Sequence, residues 1–134
     1  MRVVILGGKG MIGRAVTKLA TTRGHEVVVL TRQVTSQGNP NQNVETKHWD
    51  GKDAAALADH LKGSDAVVNL AGESIGKSRW TPQRKELLLE SRLEPAAALV
   101  EAMRLCKKPP KVLVQASAVG FYGTGNEAKN EDSV

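Results

Sequence analysis

At 134 residues with a formal net charge of +5, the chain is long enough for one domain with its own core and shorter than most complete dinucleotide-dependent enzymes. Aromatic residues make up only 3% and the basic residues are scattered, which argues against a nucleic-acid partner. The single cysteine, Cys106, rules out a disulfide framework within the chain and fits a reducing, cytoplasmic setting, while strand-sized apolar runs with no signal-peptide pattern point to no membrane partner.

The first apolar run, Val3 to Leu6, reads as a strand and enters Gly7-Gly8-Lys9-Gly10-Met11-Ile12-Gly13 directly. Glycines suit a sharp strand-to-helix turn, and a pyrophosphate reaches a helix N-terminus only where no Cβ blocks it. By spacing alone the turn fits both Gly8-x-Gly10-x-x-Gly13 and Gly7-x-x-Gly10-x-x-Gly13. A helix follows from about Met11 to Arg23, closed by Gly24, and a second strand covers Glu26 to Leu30. Strand, glycine turn, helix, strand is half of a Rossmann unit, so Gly7 to Gly13 are candidate cofactor-binding residues. A carboxylate at the tip of the second strand would bind the ribose 2′-hydroxyl of NAD. Here the tip reads Leu30-Thr31-Arg32, and a guanidinium there suits the 2′-phosphate of NADP, with Lys9 as a second cation.

Thr35 to Asn43 is a polar loop, and Val44 to Trp49 is a third strand candidate, after which Asp50 is either an adenine neighbour or an ordinary loop residue. Asp53 to Leu61 is a helix stopped by Gly63, and Asp65 to Leu70 is a buried strand. A long helix opens with Thr81 as N-cap and Pro82 at its first position. Leu89, Leu93, Ala96, Val100 and Met103 share one face of it, and Pro95 predicts a kink or break near Glu94. Lys77, Arg79, Arg84 and Lys85 read as a solvated helix start, with recognition of an anionic substrate as the alternative. Lys107-Lys108-Pro109-Pro110 ends the helix, and Lys111 to Ala116 is the last strand. The fold class that results is α/β, a Rossmann-type doubly wound parallel sheet of about five strands in the order 3-2-1-4-5.

In such a sheet the ligand crevice lies at the carboxyl ends of the strands. Asn69-Leu70-Ala71-Gly72 falls there after the fourth strand, its small residues letting a cofactor lie against backbone. Ser117 falls at the end of the fifth strand, where its hydroxyl suits a hydrogen bond to a substrate carbonyl or alcohol oxygen, although a strand-end serine is also a common turn residue. The three histidines, His25, His48 and His60, have no second ligand at a metal spacing.

Taken together, Gly7-x-x-Gly10-x-x-Gly13, Asn69-Leu70-Ala71-Gly72 and the Ser117 to Gly123 segment resemble an extended short-chain dehydrogenase/reductase. More narrowly, Val68 to Ile75 with Arg79-Trp80-Thr81 and Glu90-Ser91-Arg92-Leu93 resembles the NAD(P)-dependent epimerase/dehydratase-like family that carries Asn-Leu-Ala-Gly-Glu and Arg-Trp-Thr signatures. The resemblance covers the whole chain as an NADP-binding domain, but only the N-terminal part of such a protein, whose smaller C-terminal substrate domain is absent here. It implies NADP contacts at Thr31, Arg32, Leu70, Ala71 and Arg92, and places Ser117 at the position of the catalytic Ser or Thr. It also implies an oxidoreductase or epimerase acting on a small polar molecule. The family's Tyr-x-x-x-Lys pair does not occur: Tyr122 is followed four residues later by Asn126, and Lys129 is out of register. Tyr122 therefore reads as a packing residue, and a non-catalytic NADP(H)-binding regulator, of the kind linked to cell division, stays open. Without the second domain the fifth strand and the long helix keep apolar faces uncovered, so self-association, as a homodimer, is expected.

Overall fold

The computed structural model describes residues 1–34 and 42–133, with the side chain of Val119 excepted; most of the polar loop read over Thr35 to Asn43 lies outside the described residues. Five strands, β1 (Arg2–Leu6), β2 (Glu26–Thr31), β3 (Val44–His48), β4 (Ala66–Asn69) and β5 (Val112–Gln115), form one sheet in the order β3-β2-β1-β4-β5. Every pairing is parallel, with Leu6 opposite Leu30 on one side and Asn69 on the other. The helices are α1 (Met11–Thr22), α2 (Ala54–Leu61) and α3 (Pro82–Leu105), and a short 3-10 turn covers Val119–Tyr122.

The continuous apolar runs of β1 and β2 are what a strand covered on both faces needs. Val3, Ile5, Val27, Val29 and Ala66 face α1 through Val16 and Ala20. Val4, Leu6, Val28, Leu30 and Val67 face α2 and α3 through Leu57, Leu61, Leu99 and Ala102. The fold class is therefore as read from the sequence, and the crossovers place every strand's carboxyl end on the same edge of the sheet.

Local signals set the element boundaries. Asp53 accepts the Ala56 N–H at 3.0 Å and Thr81 accepts the Arg84 N–H at 3.2 Å, so both helices open on side-chain caps. Gly24 and Gly63, with φ of +75° and +71°, end α1 and follow α2 in the left-handed region that their lack of a Cβ permits.

Three expectations are corrected around α3. The helix runs without a break from Pro82 to Leu105, and Pro95 lies buried inside it. The face that packs on the core is Leu88, Pro95, Ala98, Leu99 and Ala102, whereas Leu89, Leu93 and Val100 of the predicted stripe are exposed. The sequence carries two apolar stripes on this helix, and periodicity cannot tell which one the sheet takes. Arg84 is not a solvated charge: its side chain is 11% exposed and is engaged by Glu73 and the Ser74 carbonyl. In β5, Val112, Leu113 and Val114 are all exposed.

Candidate functional site

At the carboxyl edge, β1 ends in Gly7, whose φ of +75° bends the chain away from the sheet. A Cβ on Gly7 would stand 2.6 Å from the Leu70 carbonyl oxygen, and one on Gly13 would stand 2.5 Å from the Gly8 Cα. These two glycines serve the packing of the turn against β4 and against itself. Gly10 differs, because a Cβ there would meet only the Gly7 carbonyl oxygen, at 3.3 Å. It is also the N-cap of α1 and supplies no side-chain acceptor for the first-turn N–H groups. The helix therefore presents its positive end beside a residue where a Cβ would sit tightly against the Gly7 carbonyl oxygen and meet nothing else, an arrangement suited to an external anion. Met11 and Ile12 direct exposed side chains outward from that first turn.

A cavity of about 250 Å³ opens above this turn. Gly7, Lys9 and Gly10 form its floor, Thr31 and Arg32 one bank, Leu70, Ala71 and Gly72 the other, and Trp49 with Asp50 closes the far end. The sequence candidates from the glycine turn, the β2 tip and the β4 exit thus converge on one crevice. Gly13 contributes behind it, through helix packing. Arg92 also stands behind the wall: its guanidinium lies against Gly72 and donates to the carbonyl oxygens of Leu88 at 2.8 Å and Glu73 at 3.2 Å. Ser117 lies exposed past the end of β5, outside the cavity lining.

Asn69 explains how the β4 exit is held. Fully buried, it donates from Nδ2 to Gln115 Oε1 at 2.8 Å and accepts the Ala71 N–H on Oδ1 at 3.1 Å. The side chain joins β4 to β5 and sets the course of Leu70 to Gly72. At the far end, Trp49 is buried and donates its indole N–H to the Asp53 carbonyl at 2.8 Å. Asp50 accepts the N–H groups of Asp53 and Lys52, both at 2.9 Å, and these bonds hold its carboxyl below the usual carboxylate value. Lys52 bridges to Glu94 of α3 at 2.9 Å along the rim. Of the two readings of Asp50, the structure thus places it on the cavity wall with its carboxylate turned to its own loop.

Sequence reasoning passed over Glu73. Its carboxylate faces Arg32 at 3.4 Å, Arg84 at 3.5 Å and Lys77 at 3.7 Å, and its N–H donates to Ser91 Oγ at 2.9 Å. Burial pushes this carboxyl up, yet Lys77, Arg84 and Arg32 together outweigh it and hold its pKa below the ordinary value. The available signal was its place immediately after Gly72, at the end of the same strand exit. Lys9 donates to the Gln33 carbonyl at 2.8 Å, so it lies along the crevice rather than out in solvent. Tyr122 packs edge-on to Phe121, with ring centres 5.5 Å apart, and both rings are exposed. Among the described residues no group of His, Cys, Asp and Glu is arranged to hold a metal ion, and no helix is long and apolar enough to cross a membrane.

Residues 3–134 match the NAD dependent epimerase/dehydratase family. The chain belongs to that family. It is 36% identical over 134 residues to the epimerase family protein YfhF of Bacillus subtilis, covering 99% of this chain and 43% of that protein. It is 37% identical over 136 residues to human epimerase family protein SDR39U1, covering 99% of this chain and 42% of the human one. The crystal structure of human SDR39U1 with NADPH superposes with a TM-score of 0.75 at 37% identity, over 93% of this chain and 39% of that one. Uronate dehydrogenase from Agrobacterium tumefaciens superposes with a TM-score of 0.65 at 25% identity, over 87% of this chain and 40% of that one. The chain thus spans about two fifths of the length of these relatives.

Proposed function

We propose that this chain is the NADP-binding part of an oxidoreductase or epimerase that acts on a small polar molecule. The observation that carries the reading is the crevice itself: a bare Gly10 at an uncapped helix start, with a cation rather than a carboxylate at the tip of β2. The presence of NADPH in the human relative's structure supports the phosphorylated cofactor. The residues fit that group. Gly7 and Gly10 with the first-turn N–H groups of Met11, Ile12 and Gly13 would hold the pyrophosphate, and Thr31, Arg32 and Lys9 the 2′-phosphate end. Leu70, Ala71 and Gly72 would form the wall, braced from behind by Arg92. When bound, the nicotinamide ring supplies a hydride acceptor or donor.

Ser117 is assigned the substrate oxygen, which its hydroxyl would orient and polarise from the end of β5. In this reading the proton donor belongs to a substrate domain outside residues 1–134. The substrate partner is a small molecule, with neither nucleic acid nor membrane involved and a cytoplasmic setting, and the chain self-associates as a homodimer. Titration with NADPH, NADP and NADH followed by fluorescence and calorimetry tests the assignment. NADPH binding that is weak in residues 1–134 alone but tighter than NADH binding is expected, and failure to bind any of the three would overturn it. A second reading is a regulator that senses NADP(H) without turnover: a Tyr-x-x-x-Lys pair, or an equivalent acid, in sequence beyond residue 134 would favour catalysis, and its absence there would favour regulation. Reduction or oxidation of a bound substrate by the full protein would exclude it.

A further inference from the structure

Arg32 and Glu73 stand on opposite banks of the crevice. Arg32 closes β2 and Glu73 follows the exit of β4, while β1 with its glycine turn lies between these two strands in the sheet. Their contact, 3.4 Å between Nη2 and Oε2 and 41 residues apart in the chain, therefore passes over the carboxyl end of β1. Arg32 and Gly72, the neighbour of Glu73, both line the cavity beneath it. A dinucleotide laid from Thr31 across the glycine turn to Leu70 claims the same space.

We infer that Glu73 is an affinity-setting residue, an internal carboxylate that occupies Arg32 and must yield it to any incoming dinucleotide, a cost that only the 2′-phosphate of NADP(H) repays. The inference rests on the proposed NADP site and extends it. Charge exchange is what separates the two cofactors. A dinucleotide with a 2′-phosphate replaces the carboxylate facing Arg32 by a stronger anion, and the displaced Glu73 retains Arg84 and Lys77 as counter-ions. A dinucleotide with a free 2′-hydroxyl breaks the same pair and gives Arg32 no charge in return. The lost pair is thus a cost that both ligands meet, and the new contact of Arg32 with the 2′-phosphate is what separates them. The backbone of Glu73 is held by Ser91 and Arg92, which keeps its side chain on this bank of the crevice.

The test measures dissociation constants of NADPH and NADH for the wild-type chain, Glu73→Gln, Arg32→Ala and the double variant, with thermal melting of each cofactor-free protein alongside. Because Arg32 is 65% exposed, the pair is a weak one, and Glu73→Gln should tighten both NADH and NADPH by about two- to fivefold. In the Arg32→Ala background the same change should leave NADH affinity where it was. Equal loss of both cofactors on Glu73→Gln, or an unchanged NADH constant, would overturn the inference and leave Glu73 as a counter-ion of Arg84. If Glu73→Gln does not fold, Glu73→Asp, which withdraws the carboxylate by one methylene, carries the same expectation and the same refutation. A wild-type chain that binds neither cofactor refutes the NADP site itself, which is a different result from a binding site that Glu73 does not tune.

Discussion

Replacement of Arg32 by alanine is the sharpest probe of cofactor choice. The guanidinium would give the 2′-phosphate one or two charge-assisted hydrogen bonds, each class of contact worth about 1.5 to 3 kcal/mol. The side chain is 65% exposed, so the lower part of that range applies. Part of the gain is also offset by giving up the 3.4 Å pair with Glu73, an exposed contact worth about 0.2 to 1 kcal/mol. The net is roughly 1 to 2 kcal/mol, or about five- to thirtyfold in the dissociation constant of NADPH. NADH, which has no phosphate for Arg32 to hold, should lose nothing. Calorimetric titrations of both cofactors at one fixed ionic strength measure the two constants, since charge contacts at an exposed rim weaken with salt. Equal weakening of NADPH and NADH would show that Arg32 supports the crevice in general and does not read the phosphate.

Gly10→Val should abolish NADPH binding with a modest drop in melting temperature, because its Cβ meets one atom of the fold, the Gly7 carbonyl oxygen at 3.3 Å, closely enough to need a small shift; a variant that binds normally by calorimetry would make the turn purely structural. Leu99→Ala, at 1% exposure, should cost about 2 to 5 kcal/mol in chemical denaturation, whereas Leu93→Ala, at 58% exposure, should stay within about 0.5 kcal/mol; similar costs would mean that both stripes of α3 are covered in solution. Glu73 has a lowered pKa in the folded chain, so its stabilisation is present above the ordinary carboxylate value of 4.5 and is lost as pH falls through the lower folded value. The melting-temperature gap between wild type and Glu73→Gln should therefore close on acidification below pH 4.5, and a gap that persists there would assign it to packing instead of charge. Incubated with NADPH and a panel of aldehydes, ketones and quinones, residues 1–134 should show no steady oxidation, since Ser117 supplies no proton donor of its own; steady turnover would place the complete catalytic set within them.

Most of the fold was legible because its signals are local. A parallel strand buried on both faces needs an unbroken apolar run, and Val3 to Leu6 and Val27 to Leu30 are such runs. Caps and stops at Thr81, Asp53, Gly24 and Gly63 need no knowledge of the rest of the chain. The errors fall where a local pattern has two tertiary solutions. On α3 the stripe through Leu89, Leu93 and Val100 is as periodic as the one through Leu88, Leu99 and Ala102, and only the position of α2 and the sheet decides between them. Pro95 was read for the kink or break that a missing N–H invites; the break does not occur, and the residue lies among the buried ones of a helix continuous from Pro82 to Leu105. Glu73 escaped for the same reason: its meaning comes from Arg32, 41 residues away, and no spacing in the sequence joins them.

The glycine turn shows what a motif leaves unsaid and geometry supplies. As letters, Gly7, Gly8, Gly10 and Gly13 are equivalent, and all four fit a phosphate-binding pattern. In space they divide. A Cβ on Gly7, Gly8 or Gly13 would come within 2.8 Å of Leu70, Val29 or the turn itself, so the fold alone demands those three whether or not a ligand ever arrives. Gly10 meets nothing closer than 3.3 Å and has φ −68° and ψ 171°, a backbone conformation open to any residue. Packing explains its identity only in part, since a Cβ would sit tightly against the Gly7 carbonyl oxygen but meet nothing else. The proposed dinucleotide would supply the rest, because its phosphates would approach the start of α1 more closely than a side chain allows, which makes this position the part of the turn that speaks most for binding.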